Sequence, residues 1–176
     1  MTPTLDTLEP LIDAVRDGVS AAGWTLSGLQ KTTSYEFEGR WEGDSTRSAY
    51  LFFHREGVEE ASVDVYLDET SRGLQGNLAL VLDLPGLAEL PAIPELLTDL
   101  GERAGRHLPD GYRTPVTVRL RLRDAPLPAD RAELEARLKL VLPRAAIDAG
   151  ASAVAAVCSA TVAAFDGLLA DPALPR

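Results

Sequence analysis

Three stretches between residues 35 and 84 alternate apolar and polar side chains. In 35–42, Tyr35, Phe37 and Trp41 alternate with Glu36, Glu38 and Arg40. In 61–68, Ala61, Val63, Val65 and Leu67 alternate with Ser62, Asp64, Tyr66 and Asp68. In 74–84, Leu78, Leu80, Leu82 and Leu84 alternate with Asn77, Ala79, Val81 and Asp83. Successive strand side chains point to opposite faces, so each stretch spells a strand with one buried face. Residues 48–55 are more apolar throughout, as an interior strand is, and 24–30 add a further candidate. The links Glu42-Gly43-Asp44, Glu56-Gly57 and Arg72-Gly73 are short turns, which favour antiparallel neighbours. Gly28, Gly39 and Gly76 fall inside strand patterns, where glycine marks a bulge or tight curvature.

Helical periodicity frames these strands. Leu5, Leu8, Ile12, Val15, Val19 and Ala22 recur at three- and four-residue steps, which draws one apolar stripe on a helix starting near Thr7 and ending at Gly23. The second helix is expected over 95–107, with Ile93, Leu96, Leu97, Leu100 and Ala104 inward. Residues 116–123 form a further strand, in which Val116, Val118, Leu120 and Leu122 face the core against Thr117, Arg119, Arg121 and Arg123. Asp130 with Glu133 resembles a capping box, and a helix is expected from there to Leu142. Pro143 then suits the first turn of a last helix reaching Ala170, with Ile147, Ala151, Val154, Cys158, Thr161, Phe165 and Leu168 as its stripe. The expected fold is one α+β domain over residues 1–176. Its antiparallel sheet has about five or six strands, with an N-terminal helix and C-terminal helices packed on one face.

This order of elements is similar in architecture to the small bacterial α+β chaperones of type III secretion and related regulator-like domains. The resemblance implies a chaperone-like, protein-binding module. It does not cover the extra C-terminal helix, and fold likeness alone does not carry function.

The chain is acidic, with net charge −10, and 15 of its 17 bases are arginine. That charge opposes binding to nucleic-acid phosphates. It is also uneven: residues 1–100 hold 18 acids and 6 bases, and residues 101–176 hold 9 acids and 11 bases. The single Cys158 excludes an internal disulfide and a cysteine metal cluster. Residues 1–8 lack the basic and apolar regions of a signal peptide, so the cytoplasm is the expected compartment. Residues 145–165 are rich in alanine and contain Asp148, which reads as a packing helix rather than a membrane span.

No catalytic, cofactor or metal constellation emerges. His54 and His107 have no metal-ligand spacing, and His107 at a helix end complements the helix dipole. There is no nucleophile elbow, and Gly73-Leu74-Gln75-Gly76 lacks the rest of a phosphate loop. Cys158 lies on an apolar stripe, where a free cysteine is a small buried hydrophobe. Adjacent acids such as Glu36 and Glu38 fit a solvated strand face better than a catalytic pair.

Arg119, Arg121 and Arg123 form a comb on one strand face. The comb suits either an anion site or an ion-pair ladder with Asp64 and Asp68 or with Glu36 and Glu38; the net charge favours the ladder. Together with the aromatic pair Tyr35 and Trp41, the comb is the candidate binding surface. The leading expectation is a non-enzymatic protein-binding module with a protein partner and no cofactor, dimerising through the small-residue last helix. A small-molecule pocket would instead require Phe52, Phe53 and the leucines of 74–84 to line a void. An enzyme would require His54 in a cleft beside a carboxylate.

Overall fold

The computed structural model describes residues 5–33, 45–84, 93–107, 116–121 and 133–171. The elements run α1 (Leu8–Ala21), β1 (Thr25–Thr33), β2 (Ser45–Arg55), β3 (Val58–Thr70), β4 (Gly73–Leu84), α2 (Ile93–His107), β5 (Val116–Arg121), β6 (Glu133–Val141), α3 (Arg144–Ala149) and α4 (Ala151–Leu169). The six strands form one sheet in the order β1-β2-β3-β4-β6-β5, every neighbouring pair antiparallel. β2, with its more apolar pattern, is interior as expected. The strand expected over 35–42 lies outside the described residues.

One sheet face is the core face. Ala49, Leu51 and Phe53 of β2, Ala61 to Leu67 at every second position of β3, Leu78 to Leu82 likewise in β4, and Ala136, Leu138 and Leu140 of β6 are all buried there. The buried stripes of α1 and α4 join them in one cluster. α1 and α4 lie side by side, and α2 contacts α4 and β5. The start of α1 is held by β3: the backbone N–H of Leu8 donates to Glu69 Oε2 at 2.8 Å. Arg47 of β2 pairs with Glu9 and with Glu69, so one guanidinium joins the helix start to the sheet.

Two expectations are corrected. The segment 130–142 was expected as a helix, but from Glu133 to Val141 it is β6, paired with β4 and β5. Glutamate, alanine, arginine, leucine and lysine there are all helix formers, and Asp130 with Glu133 imitates a helix start. Yet Ala136, Leu138, Leu140 and Leu142 alternate with Glu135, Arg137, Lys139 and Val141, and this period of two fills the gap between β4 and β5. Burial of a strand face overrides a propensity difference of a few tenths of a kcal/mol per residue.

The second correction concerns the last helix, which is two helices. Gly150 sits at φ 106°, ψ −174°, a conformation closed to residues with a Cβ, and breaks the run between α3 and α4. Its N–H still closes α3 by donating to the carbonyls of Ala146 and Ile147.

α4 is long and apolar enough to cross a membrane by length and composition. Here Val154, Cys158, Thr161, Val162, Phe165 and Leu168 are buried within the protein, while Ser152, Ala156, Ala160 and Ala163 face outward.

Burial pushes the Cys158 thiol up from its ordinary 9.0 to about 12. Unfolded chains therefore release this proton well before folded ones. The stabilisation is complete below pH 9 and is lost between pH 9 and about pH 12, by up to about 1.4 kcal/mol per pH unit. Denaturant melts of wild type and Cys158→Ala from about pH 8 to about pH 10 should converge as pH rises. Parallel curves would show that the thiol ionises in the folded protein as freely as outside it.

Candidate functional site

The other sheet face carries no described helix, and strand register orders its residues into rows. One row crosses five strands: Gln30, Tyr50, Tyr66, Asn77 and Val141 stand opposite one another in turn. Tyr50 is 38% exposed and Val141 67%. The Tyr50 and Tyr66 rings lie 4.9 Å apart between centroids at 52°, a tilted contact of the kind aromatic pairs prefer. Phe52, half-buried, follows Tyr50 on the same face two residues on.

Beside this row is a buried carboxylate. Asp68 is buried on β3, and its two oxygens accept from Ser48 Oγ at 2.8 Å and from Gln75 Nε2 at 3.2 Å. On the other flank Asp64 accepts from Arg137 Nη2 at 3.3 Å and from Ser62 Oγ at 3.2 Å, while Arg137 Nε donates to Glu135 at 2.6 Å. Burial pushes the Asp64 carboxyl above its ordinary value, against the opposing pull of Arg137 and the Ser62 hydrogen bond. Ala79 and Val81 between them are also buried. Tyr50 and Val141 of the row are exposed on this face, as are His54, Asp83 and Lys139.

The residues singled out from sequence separate. Tyr35, Trp41 and Arg123 lie outside the described residues, as does Leu122. Arg119 and Arg121 lie on the backbone of β5, in register with Glu135 and Glu133 of β6. The described strand paired with β5 is thus β6, not the β3 of Asp64 and Asp68; Glu36 and Glu38 lie outside the described residues. That neighbour was hidden because 133–141 imitates a helix. Asp64 finds its cation on β6 instead, in Arg137.

His54 is exposed on β2 and meets Ser27 Oγ at 2.6 Å through Nδ1. Ser27 is the extra residue of a bulge between Leu26 and Gly28, so the glycine does mark irregular pairing. Ser27 Oγ also donates to the carbonyl of Phe52 at 3.0 Å, which leaves its lone pairs to accept from His54 in the tautomer that carries the proton on Nδ1. No carboxylate among the described residues hydrogen-bonds the His54 ring. His107 Nε2 lies 3.0 Å from Asp171 Oδ2, which also faces Arg106, and Arg103 lies 3.5 Å from the other oxygen, tying the end of α2 to the end of α4. Among the described residues no group of three histidine, cysteine or carboxylate side chains converges to hold a metal.

Phe53, Leu78, Leu80 and Leu82 pack into the common core with α1 and α4 rather than around a space, and Phe52 turns to the opposite face. Sequence reasoning missed the Tyr50–Tyr66 pair. Its only signal was that Tyr66 occupies a polar position in the alternation of β3 while Tyr50 flanks Leu51.

No protein family's sequence profile, no curated protein and no solved structure matches the chain.

Proposed function

We propose that this chain is a non-enzymatic, cytoplasmic protein-binding module that works as a homodimer. The observation that carries the reading is the aromatic pair of exposed Tyr50 and half-buried Tyr66, with half-buried Phe52 beside it, on the sheet face opposite the helices. Tyrosine is enriched among residues that dominate interface energy, because it buries a large rigid surface for little lost freedom. Gln30, Asn77 and Gln75 flank the rings with amide donors and acceptors of the kind that fix a partner's backbone. The outward alanines of α4, Ala156, Ala160 and Ala163, leave a slim, uncharged helix surface to which a second copy could come close.

A photo-crosslinking amino acid at position 50 tests the binding surface. It should trap a discrete partner in cells, and that adduct should fall away when Tyr66→Ala is added. The same probe at Asp17, exposed on α1, should not trap it. Identical adducts from positions 50 and 17 would remove the reading. Dimerisation is read by sedimentation equilibrium at micromolar concentration: Ala156→Glu and Ala160→Glu should each give folded monomer from a wild-type dimer. A wild type that sediments as monomer throughout would eliminate the dimer.

A further inference from the structure

A second concave feature lies away from the aromatic row, where the β2–β3 turn meets the end of α4. It is an open cleft of about 490 Å³ lined by Arg55, Gly57, Val58, Glu60, Asp166, Leu169 and Ala170, within the size range of small-ligand sites. Gly57 turns the chain at φ 83°, and a Cβ built on it would meet nothing within 4 Å, so the turn leaves the cleft open. Val58 and Leu169 are half-buried against the edge of the core and give the cleft an apolar side.

The charges select what fits. Arg55 Nη1 lies 2.7 Å from Asp166 Oδ1, and the buried Trp24 indole N–H donates to the same oxygen at 3.0 Å. Asp166 Oδ2 takes no described donor. Glu60 is exposed and has no ion pair among the described residues. The last turn of α4 adds backbone carbonyls and the negative end of its dipole. With Arg55 already engaged by Asp166, the remaining field is negative. It offers oxygen acceptors from three sources beside an apolar wall.

We infer that this cleft binds a primary alkylammonium group, with its three N–H donors toward Glu60, Asp166 and the end of α4 and its aliphatic stem on Val58 and Leu169. An ammonium has three donors and no acceptor, which matches the acceptors present. A carboxylate would find only Arg55 and would face Glu60. The ammonium has two sources, a lysine side chain of another protein or a free aliphatic amine. The inference does not depend on the aromatic row.

The test is a titration of the 15N-labelled full chain, following backbone amide shifts, with Nα-acetyl-lysine methylamide, with 1,5-diaminopentane and with hexanoate. Saturable shifts at Gly57, Glu60 and Ala170 are expected with the amines and not with hexanoate, weakening as salt is raised. Response to the blocked lysine alone assigns the cleft to protein side chains, response to the diamine alone assigns it to free amines, and response to both supports the shared chemistry. Glu60→Gln should weaken binding by about fivefold, the upper range for an exposed ion pair. Glu60→Lys should abolish amine binding and admit hexanoate, while Asp17→Asn on α1 should change neither. Saturation by hexanoate in the wild type, no saturable shift with either amine, or shifts spread equally over Asp13 and Asp17 would overturn the inference.

Discussion

Phe165→Ala is expected to remove about 3–5 kcal/mol of stability, the range for truncating a buried phenylalanine. Phe165 is fully buried on the inner stripe of α4 and is among the largest side chains in the core. Its neighbours in the stripe, Thr161, Val162 and Leu168, are short or already packed, so they cannot fill the space it leaves. The position also couples to the sheet edge, because the next residue, Asp166, holds the Trp24 indole and Arg55. Urea melts measure the loss as a drop in midpoint at constant slope. A change below about 0.5 kcal/mol, the scale of surface substitutions, would show that α4 does not seat on the core as described.

Gly18→Val should also destabilise, for the opposite reason, overpacking. Gly18 is where α1 crosses α4. A Cβ built there would lie 2.4 Å from the carbonyl oxygen of Ala155, 2.9 Å from its Cα and 2.9 Å from Cys158 Cβ. Two of these three atoms are backbone, so the helices must separate rather than a side chain turn aside. Overpacking a tight site costs about 1–3 kcal/mol, and a valine drives three heavy atoms into it. Even Gly18→Ala should destabilise, although alanine improves helix propensity by about 1 kcal/mol. Gly101→Ala in α2 is the matched control: it is exposed, its added Cβ meets nothing within 4 Å, and it should stabilise by about 0.5–1 kcal/mol. Thermal melts of the three variants should therefore shift in opposite directions. A neutral Gly18→Val would mean that α1 and α4 do not approach so closely.

Much of the fold is legible along the chain because burial repeats with the period of the backbone. Residues 61–68 and 74–84 alternate because every second side chain enters the core with α1 and α4, and Leu8, Ile12, Val15 and Val19 recur because α1 turns one stripe inward. The same rule was present in 133–141 and was masked there, since residues that favour helices occupied both faces of the strand. Only pairing with β4 and β5 decides between the two periods, and pairing is a property of distant residues. That misreading also concealed which strand faces the arginine comb.

The candidate sites are less legible still. Tyr50 and Tyr66 meet because of the β2–β3 register, Ser27 reaches His54 because of a bulge, and Arg55 reaches Asp166 because the end of α4 returns to the β2–β3 turn. Local sequence therefore determined the elements and their buried faces. Contacts between residues as far apart as Arg55 and Asp166 arose only when the chain folded, because each depends on where several elements stop and not on any pattern within one of them.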